Sequence, residues 1–171
     1  AEAVGSGLHR FRNYSGAHYG PITLREALGN SLNIPAVLTI HYVGVDPFLN
    51  DLHKLGFDSL NRAASVYDEG LALGNGEVTL YELTRAYATL ANRGEFRALR
   101  TSLNNTGSTH TKIFKPETAS IIGNILSDPS ARALEFGADS ILNLPTRTAA
   151  KTGTSTDYRD AWTLAYNDRY T

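Results

Sequence analysis

The stretch that most restricts the fold of this chain is Lys151-Thr152-Gly153-Thr154, set inside the run from Thr148 to Trp162. A lysine, two hydroxyls and a glycine follow one another on a segment that reads as extended. Successive side chains of a strand point to opposite faces, so Lys151 and Gly153 share one face and Thr152 and Thr154 the other. Gly153 has no side chain, so a second backbone can lie directly against the strand there. From Ala161 the strand pattern returns: Trp162, Leu164 and Tyr166 alternate with Thr163, Ala165 and Asn167. The two segments, joined through Asp157-Tyr158-Arg159-Asp160, are expected to pair as an antiparallel hairpin. The edge of such a strand can pair with an extended peptide through main-chain hydrogen bonds. The lysine adds a positive charge, and the hydroxyls can hold a carboxylate. This combination suits a site that receives the C-terminal end of a peptide and performs acyl transfer on it. The same letters also fit a plain surface strand with a solvated lysine.

Upstream the periodicity is helical. Residues 1–20 have no clear period and read as an extended lead-in; Asn13-Tyr14-Ser15 within them has the form of a glycosylation sequon. Thr23-Leu24-Arg25-Glu26 fits a capping box and opens a helix with Leu24, Ala27 and Leu28 on one face, ending near Gly29-Asn30. Ile34-Pro35 starts a second helix to about Val43, apolar on most sides and therefore expected to be buried. Ser31 and Asn33 lie at the junction of the two, where each also suits a helix cap. Asp46-Pro47 is expected to cap a third helix, with Phe48, Leu49, Leu52 and Leu55 on one face and Gly56 as its stop. Residues 57–69 are less regular, and residues 70–78 form a glycine-punctuated loop or short extended run. Thr79-Leu80-Tyr81-Glu82 is a second capping box, followed by Leu83, Ala86, Tyr87, Leu90 and Ala91 at helical spacing. Arg97 to Lys112 reads as a loop or weak hairpin. Pro116 opens another helix with Ile121, Ile122, Ile125 and Leu126 apolar, and Asp128-Pro129 caps a short one through Leu134. Helices followed by a hairpin give an α+β class.

With 171 residues there is room for about one domain, with no internal repeat. A net charge of -1 asks for neither nucleic acid nor an anionic membrane surface, and no apolar run is long enough to span a bilayer. Cysteine is absent, which removes disulfides and thiolate chemistry. The five histidines form no metal pattern, so neither a metal nor a cofactor is expected. Methionine is absent too, and the start at Ala1 lacks a basic leader, so the chain is expected to be a piece of a longer protein.

Lys-Thr-Gly is one of three motifs shared by penicillin-binding proteins and serine β-lactamases. Three further segments fall in line with it. Ser31-Leu32-Asn33-Ile34-Pro35-Ala36-Val37 resembles the Ser-x-Asn segment of class A penicillin-binding proteins. Leu71-Ala72-Leu73-Gly74 with Glu77-Val78-Thr79 and the helix through Asn92-Arg93-Gly94 resembles the next block, and Ile125-Leu126-Ser127-Asp128 through Phe136-Gly137 the one after it. Lys151-Thr152-Gly153-Thr154-Ser155 with Tyr158-Arg159-Asp160-Ala161-Trp162 looks like the 1C type of that family.

The resemblance implies part of a transpeptidase domain over residues 1–171, in the fold of serine β-lactamases: mostly the helical lobe, plus one or two antiparallel strands. It implies a peptidoglycan D,D-transpeptidase that cross-links stem peptides through a serine acyl-enzyme and binds penicillin. The partners would be the D-Ala-D-Ala end of the stem peptide and β-lactams. The location would be the periplasmic face of the bacterial inner membrane, held by an anchor outside this chain, with a glycosyltransferase domain upstream. Ser31, Asn33 and Lys151 would be catalytic, meeting across a groove with Asn33 hydrogen-bonded to the substrate amide and to Lys151, and Thr152, Gly153 and Thr154 would bind substrate. The family requires a Ser-x-x-Lys nucleophile, and no serine here has a lysine three residues on. The piece alone is therefore expected to be inactive. A D,D-carboxypeptidase, a β-lactamase or a non-catalytic binding domain of the same fold would share the motifs present. Arg159 and Asp160 read as a turn ion pair, and Trp162 and Tyr166 as core.

Overall fold

The computed structural model describes residues 11–100, 102, 110–155 and 160–171. After an irregular stretch, Thr23 starts α1 (Leu24–Gly29) with the capping box read in the sequence. The Thr23 side chain accepts from Glu26 N, and the Glu26 carboxylate accepts from Thr23 N at 3.0 Å. Helix α2 (Asn33–Val43) follows after a three-residue junction. Gly44, at φ 93°, closes α2 and leads directly into α3 (Val45–Lys54), so Asp46 and Pro47 stand inside the first turn of α3 instead of capping it. Helix α4 (Ala64–Tyr67) runs into a 3-10 turn, Asp68–Leu73, where a loop or extended run was expected. The second capping box opens α5 (Leu80–Ala91).

A short hairpin, β1 (Glu95–Arg97) with β2 (His110–Lys112), pairs Phe96 with Thr111. The expected loop between them lies largely outside the described residues, as do residues 1–10 of the lead-in. Pro116 is the first residue of α6 (Pro116–Leu126). Asp128 then accepts from Ser130 N at 3.0 Å and starts a 3-10 turn that leads into α7 (Ala133–Phe136). The chain closes with β3 (Ala149–Thr154) and β4 (Ala161–Tyr166), antiparallel as expected, Lys151 opposite Leu164 and Gly153 opposite Trp162.

Among the described residues, two apolar clusters hold these parts. The first joins Ile40, Leu49, Phe57, Leu60, Tyr67 and Leu71 with Ala86 inside the helical region. The second joins Leu126 of α6 to Ala149 and Tyr166 of the β3–β4 hairpin, with Leu28, Tyr87 and Leu90 packed against it. Helix α5 serves both, through Leu83 and Ala86 on one side and Tyr87, Leu90 and Ala91 on the other. Fully burying a side chain such as Leu60 contributes about 1.5–3 kcal/mol. The second cluster is what seats the hairpin on the helices.

Helix α2 is not buried on most sides. Val37 and Ile40 are buried, whereas Leu38, Tyr42 and Val43 are exposed, because packing against the Asp68–Leu73 turn covers only one of its faces. Leu24 and Ile121, expected on core faces, are likewise exposed. Tyr166 is core as read, and Trp162 is half-buried. Among the described residues no helix is long and apolar enough to cross a membrane, and no group of side chains could hold a metal ion.

Candidate active site

Strand β3 is buried at its root, at Ala149 and Ala150, and emerges progressively: Lys151 and Thr152 are half-buried, Gly153 and Thr154 exposed. A Cβ built on Gly153 would meet nothing within 4 Å, so the face it shares with Lys151 is open to an approaching chain. Thr152 and Thr154 fall on the opposite face by alternation.

Ser31 comes from the α1–α2 junction, 120 positions earlier, and the fold brings it to Lys151. The Lys151 Nζ donates to Ser31 Oγ at 2.5 Å and to its neighbour's carbonyl, Thr152 O, at 2.7 Å. Ser31 holds a left-handed backbone, φ 56°, between the buried Asn30 and the buried Leu32. Burial pushes the Lys151 amine down to about 8. None of the ion pairs among the described residues includes it. An amine in that range beside a hydroxyl can hold an anion when protonated and exchange a proton with the hydroxyl near neutral pH.

Asn33 is the first residue of α2, and its Nδ2 donates to Arg12 O at 2.7 Å. The expected bond from Asn33 to Lys151 is absent among the described residues, because its amide is turned to the Arg12 carbonyl. Neither Ser31 nor Asn33 caps α2, whose N-cap is Leu32 without a side-chain bond. That task falls to Asn13, 21 positions upstream: its Oδ1 accepts from Ile34 N at 3.2 Å while its Nδ2 donates to Ala17 O at 2.8 Å. Asn13 is 6% exposed, which makes the sequon-like triplet a structural element. The local rules found no sign of it, because a cap supplied from another segment leaves no fixed spacing. At the far end of the hairpin, Asp160 N donates to Ser155 Oγ at 2.8 Å. Arg159, the proposed ion-pair partner of Asp160, lies outside the described residues.

A family model for the penicillin binding protein transpeptidase domain matches residues 3–169. The chain belongs to this transpeptidase family. Penicillin-binding protein 1C of Escherichia coli (strain K12) is 32% identical over 165 residues, covering 96% of this chain and 21% of the relative. Penicillin-binding protein 1A of Aquifex aeolicus (strain VF5) is 33% identical over 167 residues, covering 91% of this chain and 22% of the relative. The chain thus spans about a fifth of the length of these relatives. Among solved structures, penicillin-binding protein 1A from Haemophilus influenzae superposes with a TM-score of 0.74 at 24% identity, over 95% of this chain and 31% of that one. Penicillin-binding protein A from M. tuberculosis, solved as an imipenem acyl-enzyme complex, does so with a TM-score of 0.73 at 21% identity, over 95% and 43%. The helix-rich α+β architecture is that of a partial transpeptidase domain.

Proposed function

We propose that this chain carries the Ser-x-Asn and Lys-Thr-Gly motifs of a peptidoglycan D,D-transpeptidase, acting at the periplasmic face of an inner membrane. The observation that carries this reading is the bond from Lys151 Nζ to Ser31 Oγ, 2.5 Å long, linking the two motifs across 120 positions. In the intact domain an upstream Ser-x-x-Lys serine attacks the penultimate D-Ala carbonyl of a stem peptide. Its Oγ–C bond forms, the C–N bond to the terminal D-Ala breaks, and an acyl-enzyme results. Because Lys151 donates to Ser31, the Ser31 O–H is free to donate outward and pass a proton to the leaving amine. Asn33 binds the substrate amide. Lys151 attracts the terminal carboxylate, which the Thr152 and Thr154 hydroxyls hold, and Gly153 lets the peptide lie against β3. The Thr154 N–H supplies half of the oxyanion hole. β-Lactams enter the same site as acylating mimics of the D-Ala-D-Ala end.

Labelled penicillin tests this. The 171-residue chain forms no covalent adduct by mass spectrometry, because it holds no Ser-x-x-Lys. A polypeptide extended upstream through that motif is acylated, and Lys151→Ala in it slows acylation at least roughly tenfold, a barrier increase of about 1.4 kcal/mol or more. A stable acylated species on the 171-residue chain, or unchanged acylation kinetics in the variant, would overturn the reading.

A further inference from the structure

The residue before Ser31 has no part in the chemistry above, yet its surroundings differ from those of an ordinary helix stop. Asn30 ends α1 and is 2% exposed. Its side chain makes three hydrogen bonds. Nδ2 donates to Glu26 O at 2.9 Å and to Ala131 O at 2.7 Å, and Oδ1 accepts from Glu135 N at 2.8 Å. The first closes onto its own helix. The other two reach the 3-10 turn and α7, which lie 101 and 105 positions away. Close approach is possible because residue 29 is glycine: a Cβ there would lie 2.4 Å from the Ala131 carbonyl oxygen. Aspartate has no donors for the two carbonyls, and an apolar residue would take the side-chain partner from Ala131 O and Glu135 N, while Glu26 O would keep the Asn30 backbone N–H. On the other side of Ser31, Leu32 is 5% exposed. The left-handed Ser31 backbone is therefore held between two buried neighbours, and such a conformation persists only where its surroundings over-determine it.

Resting on the reading of Ser31 and Lys151 as site groups, we propose that Asn30 is a positioning residue. It clamps the α1–α2 junction onto Ala131 and Glu135 and so holds the Ser31 hydroxyl against Lys151 Nζ. Substrate does not touch Asn30; its effect passes through Ser31.

The test reads the lysine itself. The chain has four lysines, and pulse acetylation followed by peptide mass spectrometry gives the labelling midpoint of each against pH, with Lys54, Lys112 and Lys115 as internal controls. Ser31→Ala removes an acceptor that favours the charged amine, so the Lys151 midpoint falls by about one pH unit. Asn30→Ser gives a fall in the same direction, and the double variant falls no further than Ser31→Ala alone. If Asn30→Ser lowers the melting temperature but leaves the Lys151 midpoint at its wild-type value, Asn30 is merely structural and the proposal is overturned. Additive falls in the double variant overturn it as well, since Asn30 would then act by another route. An unchanged midpoint in Ser31→Ala identifies the site reading as the failed step, and the proposal falls with it. Should Asn30→Ser be unfolded in buffer, the labelling is repeated in trimethylamine N-oxide, which favours the compact state, with the same outcomes.

Discussion

The half-buried amine of Lys151 has a thermodynamic consequence that can be measured without substrate. Its folded-state value, about 8, lies below the ordinary 10.5, and the cause is burial, with no carboxylate paired to it among the described residues. Between those two values the unfolded chain binds more protons than the folded one, so stability rises with pH. The sign is therefore opposite to that of a lysine in a salt bridge: the penalty is fully present below pH 8 and is relieved as the pH climbs toward 10.5. Each unit of displacement corresponds to about 1.4 kcal/mol, and the part recovered between pH 7 and pH 10 is on the order of 2 kcal/mol. The useful window closes near pH 10, because burial pushes Tyr87 and Tyr166 up to about 12, and their ionisation in the unfolded chain then removes stability. Urea titrations at intervals from pH 7 to pH 10 read the effect, with Lys151→Met as the comparison because it keeps an unbranched stem and removes the charge. The wild-type midpoint should rise across this range, and the variant should lack that component. Superimposable profiles for the two proteins would refute the claim that a desolvated Lys151 is responsible.

Four further outcomes follow from the packing. Thr79→Ala removes the cap of α5 and should cost about 1 kcal/mol by chemical denaturation, with the helix signal lost in proportion. Burial raises the Glu82 carboxyl, but hydrogen bonds from Thr79 and Ser59 outweigh it and hold the group down to about 2. Its contribution is thus present above the ordinary 4.5 and lost as pH falls through about 2, and Glu82→Gln should flatten that part of the acid-unfolding profile. Gly29→Ala drives a methyl into the Ala131 carbonyl and should destabilise by about 1–3 kcal/mol, lowering the melting temperature. Leu60→Ala, at a position 2% exposed, should cost about 2–5 kcal/mol in the same assay.

The elements that were legible in the sequence obey rules acting within about four residues. Both capping boxes, the proline start of α6 and the alternation in β4 are of this kind, and the structure contains each of them. Misreadings arose where a local pattern needed a distant partner. Helix α2 has an apolar sequence, but a neighbour covers only one side of it, so Leu38 and Tyr42 face outward. Asn13 looked like a sequon and Asn30 like a helix stop; both are buried polar joints whose bonds span 21 and 101 positions. The Ser-x-Asn and Lys-Thr-Gly segments were legible as motifs. The meeting of Ser31 with Lys151 was expected through the family resemblance and is present, whereas Asn33 donates to the Arg12 carbonyl and not to Lys151, which no local rule indicated.

From the order of its residues alone this chain determined where α1, α5 and α6 begin, that β3 and β4 pair, and which motifs carry the family resemblance. The helix starts and the strand pairing follow from short-range hydrogen bonding and side-chain periodicity, both written along the chain, while the family rests on the resemblance of its ordered motifs and the matched family model. Only the folded arrangement decided that Lys151 loses its water to the helices packed around it, and that Ser31 is held in a left-handed turn to meet it. Desolvation and strain are set by what surrounds an atom in space, and those surroundings come from segments more than a hundred residues apart.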